Sequence, residues 1–167
     1  MLRRHEKIQF PHAILFVTTV TATRGRWFIR PSLCQAVLEK FEECRASLGM
    51  NCLGYVLMPD HFHALVVQTA EGDQISELMA RFKRKTAFGC RPDGYPAGPL
   101  WNRRFDAVPV PGNDAVHTKL KYMHENPAKA ALSATAEAYP WSSARDYLET
   151  KSGIVSVARE LIAPLQR

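Results

Sequence analysis

The chain has 167 residues, of which 46% are hydrophobic and 23% are charged, and these proportions are typical of a globular domain. They argue against a disordered, collagen-like or disulfide-scaffold protein. The 22 lysines and arginines against 16 aspartates and glutamates give a net charge of +6, which favours an anionic partner such as nucleic acid or acidic lipid.

The first apolar run covers residues 13–20 and follows Arg3 and Arg4, which gives it the outline of a signal peptide. Pro11 and His12 stand at the head of the run, and most of its residues are β-branched, so a buried strand is the better interpretation. No segment approaches the roughly 18 apolar residues of a membrane span. We therefore expect a protein without membrane contact.

Cysteine spacing indicates the redox state and the compartment. The four cysteines contain no Cys-x-x-Cys pair and match no zinc framework. We expect reduced thiols in a cytoplasmic protein. These residues are Cys34, Cys44, Cys52 and Cys90.

Hydrophobic periodicity and turn signals predict four strands and three main helices. The predicted strands are Ala13–Val20, Cys52–Met58, His61–Gln68 and Phe105–Val110, with a hairpin turn at Pro59-Asp60 between the second and third. The first predicted helix runs from Pro31 to near Gly49, the second from Ile75 to near Gly89, and the third is capped by Asn113 and ends within two residues of Pro127. A weak terminal helix is expected from about Ser156.

The order strand, helix, strand, strand, helix, strand predicts an α+β fold, the ferredoxin-like split β-α-β arrangement. Its antiparallel sheet carries helices on one face and leaves the other free for a ligand, and a further C-terminal helix follows the last strand. We expect a single domain over residues 1–167, with a core at about 10–148 and a C-terminal tail at 149–167.

Residues 81–104 carry seven basic groups and one acidic group. Phosphate-pairing cations interleaved with aromatic rings are typical of a surface that binds nucleic acid. A solvated helix face followed by a loop fits the same pattern, since charge runs are usually surface. The cations are Arg81, Lys83, Arg84, Lys85, Arg91, Arg103 and Arg104, and the rings are Phe82, Phe88, Tyr95 and Trp101.

His61 and His63 project to one face of their predicted strand, while Phe62 turns to the opposite face, towards the helices. Two imidazoles at this spacing can converge on one metal ion, although hydrogen-bonded surface histidines fit the same pattern. A catalytic metal also needs another protein ligand and an open position.

On the third helix Tyr122 and Asn126 are four residues apart and share one face. Asn126 offers an amide oxygen to a metal, which would leave Tyr122 beside it as a nucleophile. Lys119 is on the same side as Tyr122, whereas Lys121 and His124 point elsewhere. A packed tyrosine and a C-capping asparagine are the alternative interpretation.

Four segments together resemble the HUH single-strand transposases, and in particular their REP-associated tyrosine transposase branch. The resemblance covers about residues 10–148. The segments are Pro59-Asp60-His61-Phe62-His63, Trp101-Asn-Arg-Arg-Phe105-Asp106, Tyr122-Met-His-Glu-Asn126-Pro127 and Tyr139-Pro140-Trp141-Ser142-Ser143.

The resemblance implies an endonuclease and strand transferase that cuts single-stranded DNA near a palindromic hairpin through a 5′-phosphotyrosine. Tyr122 would be the nucleophile, and His61, His63 and Asn126 would hold Mg²⁺ or Mn²⁺. The last helix is then the catalytic helix, and the enzyme acts as a monomer or a homodimer. The expected DNA contacts are Arg81, Lys83, Arg84, Trp101, Arg103 and Arg104.

Two other functions fit the same residues. One is a domesticated protein that recognises hairpin DNA without transposition. The other is an RNA-binding domain that uses the open sheet face as a stacking platform, with the histidines as ring contacts.

Overall fold

An antiparallel sheet lies at the centre of the protein in a computed structural model that describes residues 11–149 and 153–164. In these ranges the sheet has four strands in the order β2-β3-β1-β4. The elements follow the chain as β1 (Ile14–Val20), α1 (Pro31–Ser47), β2 (Asn51–Leu57), β3 (His61–Val67), α2 (Gln74–Gly89), β4 (Asp106–Pro109) and α3 (Asn113–Lys129). This order and this sheet confirm the predicted α+β, ferredoxin-like fold.

One face of the sheet packs on α1 and α2. The rings of Phe41 on α1, Phe62 on β3 and Phe82 on α2 meet there, with centroids 4.8 to 5.6 Å apart. Phe62 therefore turns towards these helices, as strand alternation predicts.

The opposite face is partly covered by α3. Its residues Val116, Leu120 and Met123 are buried against Phe16 and Val56 of the sheet, among others. The prediction of helices on one face holds for α1 and α2. The other face, which carries the two histidines, is not entirely free, because α3 forms a second layer there.

Gly54 in β2 lets α3 approach the sheet closely. A Cβ at this position would lie 2.5 Å from Cδ2 of Leu120 and 2.8 Å from Cε of Met123, closer than van der Waals contact permits. The strand has an irregular register between Cys52 and Gly54, which marks a β-bulge at this contact.

Two predictions about helices are wrong, one about a helix cap and one about the terminal helix. The predicted cap Asn113 is the first helical residue of α3, and the cap is Gly112, at φ 81, without a side-chain hydrogen bond. In residues 153–164 the predicted terminal helix is only a 3₁₀ turn, Arg159–Leu161. The helix α3 does end two residues after Pro127, which places Asn126 inside the helix and not at its C-cap.

Residues 139–147 run along the outer edge of β2. The backbone N–H of Leu57 donates to the carbonyl of Trp141 at 2.8 Å, and the N–H of Ser143 donates to the carbonyl of Tyr55 at 3.0 Å. The hydroxyls of Tyr139 and Tyr147 donate to the carbonyls of Leu57 and Leu53. These bonds satisfy a strand edge that would otherwise be exposed.

All four cysteines are buried and unpaired, as their spacing predicts. Burial raises the pKa of the thiol of Cys34 to about 11. In the described ranges no helix has both the length and the apolar character needed to cross a bilayer.

Candidate active site

His61 and His63 lie on the face of β3 that α3 partly covers, and the centroids of their rings are 4.7 Å apart. The strand puts every second side chain on this face, which is why the two rings converge. His61 is partly buried, and His63 is only 6% exposed.

Each ring uses its Nδ1 atom in a hydrogen bond. Nδ1 of His63 is 2.8 Å from Oγ1 of Thr18, and Nδ1 of His61 is 2.6 Å from Oδ1 of Asp60. The carboxylate of Asp60 only accepts, which places a proton on Nδ1 of His61, whereas the hydroxyl of Thr18 can donate or accept. Both bonds orient the rings, and Nε2 is the nitrogen of each ring on which metal coordination would depend. Burial, aided by the charge of His61, lowers the pKa of His63 to about 3. The ring of His63 is therefore neutral at physiological pH, the form in which histidine binds metals.

Tyr122 lies beside this pair on α3. Its ring centroid is 6.0 Å from that of His63, and its side chain is exposed. Phe16 supports both residues, since its ring stacks on His63 at 5.0 Å and contacts Tyr122 edge-on at 6.1 Å. The sheet and the last helix thus bring an imidazole pair and an accessible phenol to one place.

Lys119 lies one turn before Tyr122 on the same side of α3, as its spacing predicts. Its ammonium is 4.9 Å from the ring centroid of Phe16 and 5.9 Å from that of Tyr122. Lys121 is exposed and pairs weakly with Glu125 at 3.9 Å. His124 is turned to the protein interior, where its Nε2 is 2.8 Å from Oγ of Ser143.

Asn126 lies one turn after Tyr122 and is partly buried. Among the residues that the structure describes, no three histidines, cysteines or acids are grouped so that they could hold a metal. A metal at this site would therefore have two nitrogen ligands, His61 and His63, and would depend on the amide of Asn126 as the third protein group.

An open groove of about 480 Å³ lies next to the histidines. Thr18, the hydrogen-bond partner of His63, lines it together with the exposed residues Arg103 and Arg104. Neither arginine forms an ion pair in the described part of the chain, so both guanidinium groups can pair with phosphates. Asp106 is the acidic residue of the lining.

Lys83 is turned towards the loop that carries these arginines. Its Nζ donates to the carbonyl oxygens of Asn102 at 2.8 Å, Arg104 at 3.0 Å and Arg103 at 3.4 Å. Burial lowers the pKa of Lys83 to about 8. Lys83 is predicted to contact DNA. In the structure its ammonium group instead donates its hydrogen bonds to the loop.

The other predicted cations on α2 differ in exposure. Arg81 donates to Oε1 of Glu77 at 2.6 Å, which neutralises its charge locally. Arg84 is exposed and lines a second groove, of about 540 Å³, on the outer side of the helices. Phe88, at 87% exposure, lines the same groove.

Trp101 belongs to the core, which corrects the prediction that it contacts DNA. It is 4% exposed, its ring lies 5.1 Å from that of Phe28, and its indole N–H donates to Oγ1 of Thr86 at 2.7 Å. Phe82 and Tyr95 are buried too, so of the four rings in the basic stretch only Phe88 is accessible to a base.

Sequence reasoning did not identify the partners of the histidines. Asp60 precedes His61 directly, and this adjacency was an available signal. Thr18 comes from a different strand, opposite His63 in the register of β1 and β3, and its role follows only from strand pairing.

Comparison with known proteins gives a family and a fold. A family model described as "Transposase IS200 like" matches residues 12–126, and no curated protein matches the chain. Among solved structures, a REP-associated tyrosine transposase bound to a REP hairpin is similar with a TM-score of 0.69 and 14% identity, covering 94% of this chain and 92% of that one.

Two further structures share the fold more distantly. A candidate transposase from Deinococcus radiodurans R1 has a TM-score of 0.50 and 16% identity, over 75% of this chain and 97% of that one. A bacterial tRNA(His) guanylyltransferase-like protein in complex with GTP also has a TM-score of 0.50, with 14% identity, over 75% of this chain and 67% of that one. At these identities the likeness establishes the fold.

Proposed function

The chain belongs to the IS200-like transposase family, and we propose that it is a metal-dependent endonuclease and strand transferase for single-stranded DNA beside a palindromic hairpin. The observation that supports this most directly is the meeting of Tyr122 with His61 and His63, since the ring centroids of His63 and Tyr122 are 6.0 Å apart. A nucleophile and two metal-ligating groups in one accessible place are what strand cleavage by a tyrosine requires.

In the proposed reaction Oη of Tyr122 attacks the phosphorus of the scissile phosphate, and the bond from phosphorus to the 3′ oxygen breaks. The phenol loses its proton, and the departing 3′ oxygen takes one up. The products are a 5′-phosphotyrosine and a free 3′-hydroxyl. Attack by this or another 3′-hydroxyl reverses the step and joins strands, so neither water nor ATP is consumed.

His61 and His63, through Nε2, and Asn126, through its amide oxygen, would hold Mg²⁺ or Mn²⁺. When bound, the ion would polarise the scissile phosphate and neutralise the charge that develops there. Two histidines and one amide fit a catalytic site, because they leave positions open for substrate oxygens.

We assign phosphate binding to Arg103 and Arg104, because both are exposed beside Thr18 in the groove next to the histidines. Arg81 and Arg84 are proposed as outer contacts along α2, and Lys83 as the residue that positions the loop. The similar structure is bound to a REP hairpin, which supports hairpin DNA as the partner of this chain as well. We further propose that the protein works in the cytoplasm, as a monomer or a homodimer.

The decisive test mixes the protein with Mn²⁺ or Mg²⁺ and labelled single strands that carry palindromes from the gene's own locus. We expect an adduct that survives denaturation with the wild type and none with Tyr122→Phe, while both bind the strand. An adduct in Tyr122→Phe would remove Tyr122 as the nucleophile. Binding without any adduct in the wild type would favour the hairpin-binding protein, and preference for RNA would favour the RNA-binding domain.

A further inference from the structure

The ammonium group of Lys119 is fixed at the nucleophile by two aromatic rings. It lies 4.9 Å from the ring centroid of Phe16 and 5.9 Å from that of Tyr122, and its side chain is partly buried. Cation–π contacts of this kind restrict a flexible side chain without neutralising its charge. The positive charge is therefore already in place before any substrate binds.

Among the residues that the structure describes, no carboxylate compensates this charge. On the same helix Lys121 and Lys129 pair with Glu125, at 3.9 and 2.8 Å, whereas Lys119 forms no ion pair in residues 11–149 and 153–164. The positive charge of Lys119 is therefore uncompensated by the described residues and open to an anion that binds next to Tyr122.

We propose that Lys119 is a further catalytic residue, whose ammonium group binds a non-bridging oxygen of the scissile phosphate during attack by Tyr122. The inference rests on the proposed function and deepens it. Lys119 keeps its proton throughout and exchanges none with the substrate. Negative charge grows on the phosphate oxygens as the new bond to phosphorus forms, so a fixed cation there stabilises the transition state more than the ground state.

The first test compares Lys119→Met with Lys121→Met. Both remove one positive charge from α3, but Lys121 is exposed and not beside the phenol, so it serves as the matched control. We expect adduct formation by Lys119→Met to be about 100-fold slower, in the range found for loss of one transition-state donor, and Lys121→Met to stay within about twofold of the wild type. Equal rates for the two variants would overturn the inference.

Chemical rescue separates the charge of Lys119 from its packing. Position 119 is partly exposed, so the thiol of Lys119→Cys should be open to alkylation, whereas the four native cysteines are buried. Alkylation with 2-bromoethylamine restores an ammonium group of nearly the original length, and iodoacetamide adds a neutral group of similar size. We expect the ammonium form to recover most of the rate and the neutral form to recover none. Equal recovery by both would show a packing role and overturn the inference.

A binding measurement with the Tyr122→Phe variant tests the same contact without catalysis. The scissile phosphate, once mapped with the wild type, is replaced by an uncharged methylphosphonate. We expect Lys119→Met, added to Tyr122→Phe, to weaken binding of the natural strand about tenfold relative to Tyr122→Phe alone. Binding of the methylphosphonate strand should be unchanged. Equal losses for both strands would place Lys119 at another phosphate and overturn the inference.

The outcomes distinguish this inference from the function on which it rests. If the wild type forms no adduct on any strand, the proposed function fails, and the role of Lys119 fails with it. If the wild type forms the adduct and Lys119→Met forms it equally fast, the function stands and only the role of Lys119 is lost.

Discussion

The rings of His63 and Tyr122 lie 6.0 Å apart, edge to face, although one residue is on a central strand and the other on the last helix. In one chain α3 packs on the sheet of the same chain, so the proposed nucleophile and the proposed metal ligands can meet without a helix exchanged between subunits.

We therefore expect no complementation between inactive variants. A mixture of His61→Ala and Tyr122→Phe should form no adduct, because neither chain contains both halves of the site. The check is the adduct assay on chains purified separately and then mixed over a range of concentrations, with wild type diluted by either variant as the control. Activity restored in the mixture would show that α3 is exchanged.

Replacement of Gly54 by alanine should force the buried side chains of Leu120 and Met123 on α3 to move. The added methyl group would lie 2.5 Å from Leu120 and 2.8 Å from Met123, and overpacking of this kind costs about 1–3 kcal/mol of unfolding free energy. Met123 neighbours Tyr122, so adduct formation should slow as well. Urea unfolding and the adduct assay measure the two effects.

Gly89→Ala is the matched control for that substitution, because nothing lies within 4 Å of a Cβ at this position. We expect it to leave both quantities near those of the wild type. If Gly54→Ala behaves in the same way, the close approach of α3 does not depend on the glycine.

Stability should fall as the pH is lowered from about 6.5 to 4, and His124 should account for part of this fall. Burial lowers the pKa of His124 to about 4, so in this range the unfolded chain takes up a proton that the folded protein does not. The loss from one such group is about 1.4 kcal/mol per pH unit. Urea unfolding between pH 4 and 7 gives the slope of the unfolding free energy against pH. In His124→Gln this slope should be smaller by the equivalent of about one proton, and an unchanged slope would show that His124 is not the group that titrates.

Lys83→Met should weaken DNA binding by releasing a loop. The substitution leaves the carbonyls of Asn102, Arg103 and Arg104 without their ammonium donor. We expect faster hydrogen exchange in residues 100–106 together with a severalfold loss of affinity. Lys85→Met removes the same charge from α2 and should not affect exchange in the loop, so equal exchange in the two variants would remove the positioning role.

Mn²⁺ should support faster cleavage than Mg²⁺ at equal concentration. Imidazole nitrogen is a poor ligand for Mg²⁺, which prefers oxygen, and divalent affinity at nitrogen sites is higher for the transition metals. The check is the rate of adduct formation by the wild type and by His63→Ala. Bound metal is first removed with a chelator, and Mn²⁺ or Mg²⁺ is then added back. Full activity of the wild type in chelator would refute the metal site.

The order of elements and the orientation of His61, Phe62 and His63 were predictable from sequence, because strand alternation and apolar periodicity are local properties. The same held for Lys119, three residues before Tyr122 on a helix. These predictions depend on spacing within a single element, which the chain itself determines.

The role of the aromatic rings in the basic stretch was not predictable from composition. Phe82 continues the periodic apolar positions of α2, and this periodicity indicates a buried ring more strongly than the charged neighbours indicate an exposed one. Trp101 lies in an extended segment without such a period, and its burial depends on Phe28 and Thr86, which are distant in sequence. Lys83 likewise finds its acceptors in a loop that no local rule connects to α2.

The polar contacts along the outer side of β2 set a lower limit on the length of a working fragment. Residues 12–126, which the family model matches, include every proposed catalytic and metal-binding residue, yet they stop short of the hydroxyls of Tyr139 and Tyr147. A chain trimmed to those residues would leave backbone N–H and C=O groups of β2 unpaired at the edge of the sheet, where another copy of the chain could pair with them. We expect such a fragment to aggregate, and one that extends to Leu148 to remain dispersed.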